Sequence, residues 1–190
     1  MSMISKVKLS AAAVAILIAG ALPGTSRAQL GPGRNEATRQ CIRDYTVHKC
    51  VEATRSCKEA AEGGSVDAEL TLGHIYYNGR FGVPRDYAKA LYWYRKAGMH
   101  GNEVAQTRAG IMFRDGMGVP RDGSEAKKWL LMAGNQGYAP AQFMLGSMYY
   151  YGQGVAPNRT EALKWFRKSA AGGNAPAQDM VNKMTKAGDR

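Results

Sequence analysis

The chain has 190 residues and a formal charge of +11, from 26 Lys and Arg against 15 Asp and Glu. That length allows one domain with a sizeable core; the basic balance favours anionic partners through long-range steering, or only solvates exposed helix faces. No G-x-S-x-G, H-E-x-x-H or P-loop motif occurs, so these common catalytic signatures are missing and a non-enzymatic role without cofactor is expected.

At the N-terminus, Lys6 and Lys8 precede an uncharged run at residues 9–22 (LSAAAVAILIAGAL), then Pro23-Gly24 and Ser26-Arg27-Ala28. Charge, apolar core and small-x-small residues in that order make residues 1–28 a secretory signal peptide, cleaved after Ala28. As a helix the run reaches only about 21 Å, short of the ~30 Å hydrocarbon core. Losing Lys6, Lys8 and Arg27 removes three charges from +11 and leaves about +8. The expected location is periplasmic or secreted, which disfavours nucleic acid as a partner, and no stable membrane span is expected after cleavage.

Residues 29–65 read as an N-terminal cysteine-containing cap or degenerate repeat. Ala53, Ala60 and Gly64 keep the register of Ala162, Ser169 and Gly173 far along the chain, but Ser56 stands where a tryptophan is due. Cys41, Cys50 and Cys57 all fall here, and in an oxidising compartment a disulfide is the default. Cys50 and Cys57 on one continuous helix would have Cα atoms about 10.5 Å apart, beyond the ~4.4–6.8 Å a disulfide needs. Repeat phase puts Cys41 at the end of a first helix and Cys50 at the start of a second, so Cys41–Cys50 is the expected bond. Cys57 then matches Phe166, an inward position, as a buried free thiol. A zinc site with His48 is disfavoured, because the cysteines lack C-x-x-C spacing.

Residues 66–174 carry three copies of one pattern. Trp93, Trp129 and Trp165 are 36 residues apart, as are Gly101, Gly137 and Gly173, and as are Asp86, Asp122 and Asn158. A fixed period in this range means a solenoid of supersecondary units. In the first helix of a unit, Glu69, Leu72, Gly73 and Tyr76 lie at i, i+3, i+4 and i+7. Glycine is costly inside a helix, so its recurrence at Gly73, Gly110 and Gly146 marks close helix approach. Gly79, Gly116 and Gly152 end that helix in the left-handed conformation. Asp86, Asp122 and Asn158 are N-cap residues for the second helix, and Glu125 and Glu161 complete a capping box. Ala162, Trp165, Phe166 and Ser169, matched by Ala90/Trp93/Tyr94/Ala97 and Ala126/Trp129/Leu130/Ala133, form its buried stripe.

The residues Ala141-Gln142-Phe143-Met144-Leu145-Gly146-Ser147-Met148-Tyr149, continuing through Gly173, resemble the Sel-like repeat (SLR) family, a relative of the tetratricopeptide repeat. The resemblance implies a right-handed α-solenoid of antiparallel helix pairs acting as an adaptor, with about three full units. It further implies that the first helices line a concave groove for a protein or peptide partner, as in a cell-envelope complex. The faces so assigned are Leu70, His74, Tyr77 and Asn78; Thr107, Ile111, Arg114 and Asp115; and Phe143, Ser147, Tyr150 and Tyr151. Tyrosines there offer rigid amphipathic contacts and Arg114 an anion clamp; the rival assignment packs the tyrosines under neighbouring repeats. Cysteine-rich relatives suggest an alternative, binding or hydrolysis of peptidoglycan fragments or β-lactams, but they carry a cysteine pair in each repeat and this chain does not. Residues 175–190 close the chain as a capping helix and tail, with Met180, Met184 and Ala187 on one side and Asp179, Asn182, Lys183 and Lys186 on the other.

Overall fold

The computed structural model describes residues 32–47, 50–79 and 83–188. The signal-peptide assignment and His48 lie outside them. Among the described residues there are helices and connections but no strand: α1 (Pro32–Thr46), α2 (Cys50–Glu62), α3 (Val66–Asn78), α4 (Tyr87–Met99), α5 (Glu103–Asp115), α6 (Gly123–Asn135), α7 (Ala139–Tyr151), α8 (Arg159–Ala171) and α9 (Ala175–Gly188). Helices pair in chain order and each pair stacks on the next. The result is an all-α solenoid of helix pairs, with α3–α8 forming three regular units.

Within a unit the two helices touch where the sequence places glycine. A Cβ on Gly73 would come within 2.4 Å of the Tyr94 ring, one on Gly110 within 2.7 Å of Leu130, and one on Gly146 within 2.6 Å of Phe166. Gly79, Gly116 and Gly152 cap the first helices with φ of 60°, 74° and 70°. The side chains of Asp86, Asp122 and Asn158 accept from the backbone N–H groups of Lys89, Glu125 and Glu161, as N-caps should. The capping box is not closed. The N–H of Asp122 donates to the Phe113 carbonyl at 2.9 Å and that of Asn158 to Tyr149 at 2.8 Å. Glu125 and Glu161 turn instead to Lys128 and Lys164. The donor that a box would satisfy is already taken by the preceding helix.

Between units, Trp129 packs toward Gly98 and Trp165 toward Gly134, each ring on the second helix of the unit before. Both tryptophans are buried, as expected, whereas Trp93 is half-buried, with Tyr92 edge-on and Lys96 over its ring. Gln106 donates to the Gly98 carbonyl at 2.8 Å and Gln142 to that of Gly134 at 2.9 Å, joining successive units through the ends of α4 and α6. Glu69, at the same position in the first unit, is fully buried and accepts from His100 Nδ1 at 2.8 Å, with Lys96 Nζ 3.2 Å from its other oxygen.

The α1–α2 pair corrects the expected cysteine pairing. Cys41 is bonded to Cys57, not to Cys50, with Cα atoms 4.6 Å apart, and Cys57 is therefore not a free thiol. In an antiparallel pair, residues meet when they lie at similar distances from the turn. Cys50 opens α2, whereas Cys41 lies more than a turn back from the end of α1. Cys41 holds in α1 the place that Gly73, Gly110 and Gly146 hold in their helices, and Cys57 holds the place of Tyr94, Leu130 and Phe166. The disulfide is the covalent form of the contact that glycine and a large apolar side chain make in each unit. Ser56, at the tryptophan position, donates to Asp44 at 3.0 Å.

At the other end α9 buries Ala177 and Met184 with Ala162 and Phe166 of α8, and Met180 packs against them. Asp179, Asn182, Lys183 and Lys186 stay exposed, and no helix among the described residues is long and apolar enough to cross a membrane.

Candidate functional site: the faces of α3, α5 and α7

The residues assigned to a groove divide by burial. Thr107 is buried and its hydroxyl donates to the Glu103 carbonyl at 2.8 Å, so it offers no contact to a partner. Leu70 and Tyr77 pack against the core of the first unit. Phe143 and Tyr150 pack on Phe166, with ring centroids 5.5 and 6.5 Å away. Ile111 and Ser147 are half-buried, Asn78 is exposed, and Tyr151 is 62% exposed. Packing within their own units thus takes up Tyr77 and part of Tyr150, and leaves Tyr151 open.

His74 is not an open surface residue either. Its Nδ1 shares a hydrogen bond with the Tyr94 hydroxyl at 2.9 Å, and the rings meet edge-on. Burial, aided by the charge of Arg108, holds the imidazole below its ordinary pKa. Burial likewise pushes the Tyr94 phenol up. The pair is neutral near pH 7 and ties the unit's polar corner together.

Arg114 differs from its expected role as an anion clamp. Its Nε and Nη2 donate to the two oxygens of Asp115 at 2.7 and 2.9 Å, and Nη1 points at Met144 Sδ, 3.2 Å away. These hydrogen bonds hold the Asp115 carboxyl below the usual carboxylate range. The bidentate fork is already occupied. A second cation at this corner is the exposed Arg121, whose Nε donates to the Asp115 carbonyl at 3.4 Å and whose charge also acts on the Asp115 carboxyl. Arg114, Asp115, Arg121, Gly123, Gln153 and Gly154 line a cavity of about 430 Å³. Arg121, Gly123 and Gln153 were outside the groove assignment. The signal for Gly123 lies at the first residue of each second helix, where Tyr87 and Arg159 hold the equivalent positions.

No group of His, Cys, Asp and Glu suited to a metal ion occurs among the described residues. Three stacked helix pairs in one repeating frame, carrying polar and aromatic faces, define a helical-repeat scaffold. The Sel1 repeat profile matches residues 66–102, 104–138 and 139–174. The chain belongs to the Sel1 repeat family. Among solved structures it is similar to a protective antigen of uropathogenic Escherichia coli strains displaying an SLR fold, at 33% identity and a TM-score of 0.76 over 82% of this chain and 34% of that one. It is also similar to a Sel1 repeat protein from Oxalobacter formigenes, at 32% identity and a TM-score of 0.64 over 73% of this chain and 55% of that one. It thus spans about a third and just over half of these relatives' lengths. No curated protein matches it. Sel1 repeat proteins are helical-repeat scaffolds that typically mediate protein–protein interaction.

Proposed function

We propose that this chain is an exported adaptor that binds an extended segment of a protein partner along the face of α3, α5 and α7. One observation carries this reading: the small residues at the buried helix contacts recur in every unit (Ala68, Ala105 and Ala141; Gly73, Gly110 and Gly146; Ala90, Ala126 and Ala162), while that face changes. Where the first unit has His74 and Asn78, the second has Ile111 and Asp115 and the third Ser147 and Tyr151. A scaffold that repeats its core and varies one face places its specificity there. Export is supported by the charge and apolar order of the first residues and by the Cys41–Cys57 bond, which belongs to an oxidising compartment.

Peptides selected from a random display library against the purified protein test the groove. Their affinity, measured calorimetrically, is expected to fall at least about tenfold on Ile111→Glu or Ser147→Glu with the thermal midpoint unchanged. Peptides indifferent to both substitutions would sink the groove. For export, the periplasmic or secreted fraction should yield a mature protein whose mass begins at Gln29. Recovery of only the uncleaved chain from the cytoplasm contradicts it.

A further inference from the structure

The repeat makes two corners of the molecule directly comparable. Where the first unit meets the second, the corner is filled from within the chain. Tyr87 lies against Tyr77, with ring centroids 5.4 Å apart, and the Arg85 guanidinium sits 5.2 Å above the Tyr87 ring. The Tyr77 hydroxyl reaches Met117 Sδ at 3.7 Å. One unit later Arg114 replaces Tyr77, Arg121 replaces Arg85, Gln153 replaces Met117 and Gly123 replaces Tyr87. The guanidinium is kept and the aromatic ring beneath it is gone. What remains is the cavity of about 430 Å³.

Gly123 cannot restore the ring, since its Cβ would fall 2.2 Å from the Gly154 Cα. Backbone approach therefore keeps this corner unfilled by the chain itself. In the third unit the same position is Arg159, which donates to the Met184 carbonyl of α9 at 2.8 Å. The middle corner alone of the three lacks a side chain at this position.

We infer that the cavity between the second and third units receives an aromatic side chain of the partner, most favourably a tyrosine. The ring takes the place under Arg121 that Tyr87 takes under Arg85, a cation–π contact. Asp115 and Gln153 supply polar atoms for the phenol hydroxyl, which a buried tyrosine needs. Arg114 stays paired with Asp115, so the net charge of the corner is that of Arg121, and a neutral aromatic group enters without leaving a second charge unpaired. This inference rests on the groove reading, because Arg114 and Asp115 belong to that face.

A ¹H–¹⁵N shift titration of the full chain with N-acetyl-tyrosinamide, against N-acetyl-leucinamide, tests the cavity without any assumption about the groove. Saturable shifts at the amides of Gly123, Gln153 and Gly154 are expected with the tyrosine amide, and roughly tenfold weaker binding with the leucine amide. Arg121→Ala should weaken the tyrosine amide about 3–10-fold. Gln153→Trp, which fills the cavity from the loop, should abolish the shifts while circular dichroism stays unchanged. Equal responses to both amides, or tyrosine shifts untouched by Arg121→Ala, overturn the inference. If this titration fails while display peptides still depend on Ile111, the groove stands and the aromatic pocket falls. If it succeeds while those peptides ignore Ile111 and Ser147, the pocket stands and the groove falls.

Discussion

At the scale of single residues, the same frame position carries different chemistry in each unit, and the consequences can be separated. His74 and Tyr94 stand where the second unit has Ile111 and Leu130. Because the folded His74 pKa is lowered, the unfolded chain takes up a proton first as pH falls. The stability tied to His74 is therefore complete above its ordinary pKa of about 6.5 and is lost as pH falls through the depressed folded value. The melting temperature should drop between pH 7.5 and 5.5. The double variant His74→Ile/Tyr94→Leu, which copies the second unit, should flatten that slope. An unchanged slope would remove His74 as its source. Gly146 gives a second test. Alanine gains up to about 1 kcal/mol in helix propensity, but its Cβ would meet the fully buried Phe166 ring at 2.6 Å. Overpacking of this kind costs about 1–3 kcal/mol, so Gly146→Ala should lower the melting temperature; a rise would mean that the ring shifts freely. The glycine register was visible in the sequence because a costly residue recurred in phase. The His74–Tyr94 bond was not, since nothing in a 20-residue spacing says that a buried phenol must find an acceptor there.

At the scale of elements, helix ends followed local chemistry and helix pairing followed geometry. Asp122→Ala should cost about 1 kcal/mol in a denaturant melt, the usual worth of an N-cap. The nominal box partner Glu125, facing Lys128, should cost much less when replaced by Gln, since exposed ion pairs contribute little. The cysteines show where local reasoning stops. Spacing along one helix correctly excluded Cys50–Cys57, yet choosing between Cys50 and Cys57 for Cys41 required the level at which α1 and α2 cross. A non-reducing tryptic map should recover the Cys41 and Cys57 peptides linked. Reduction, opening a bond of sequence separation 16, should destabilise the chain by about 3 kcal/mol. A Cys41–Cys50 peptide in that map would restore the original pairing.

At the scale of the whole molecule, stacking units bury one another's apolar faces, and α9 continues that burial on α8. Met184 of α9 is 3% exposed against Ala162 and Phe166, so Met184→Asp should cost about 3 kcal/mol or more by placing an unpaired charge in the core between α8 and α9. A melt shifted by less than about 2 °C would show that α9 is dispensable. The chain sequence by itself determined the unit, its period, its caps and its buried stripe, because each follows from interactions among residues a few positions apart repeated in phase. Only the tertiary structure decided which face stays open. Burial withdrew Thr107, packing took up Tyr77, and Asp115 occupied the fork of Arg114. The same structure brought Arg121, Gly123 and Gln153 around a cavity that no single helix encodes. The physical reason is distance: these side chains come from different units, and their meeting depends on how closely two backbones approach, here at Gly123 and Gly154.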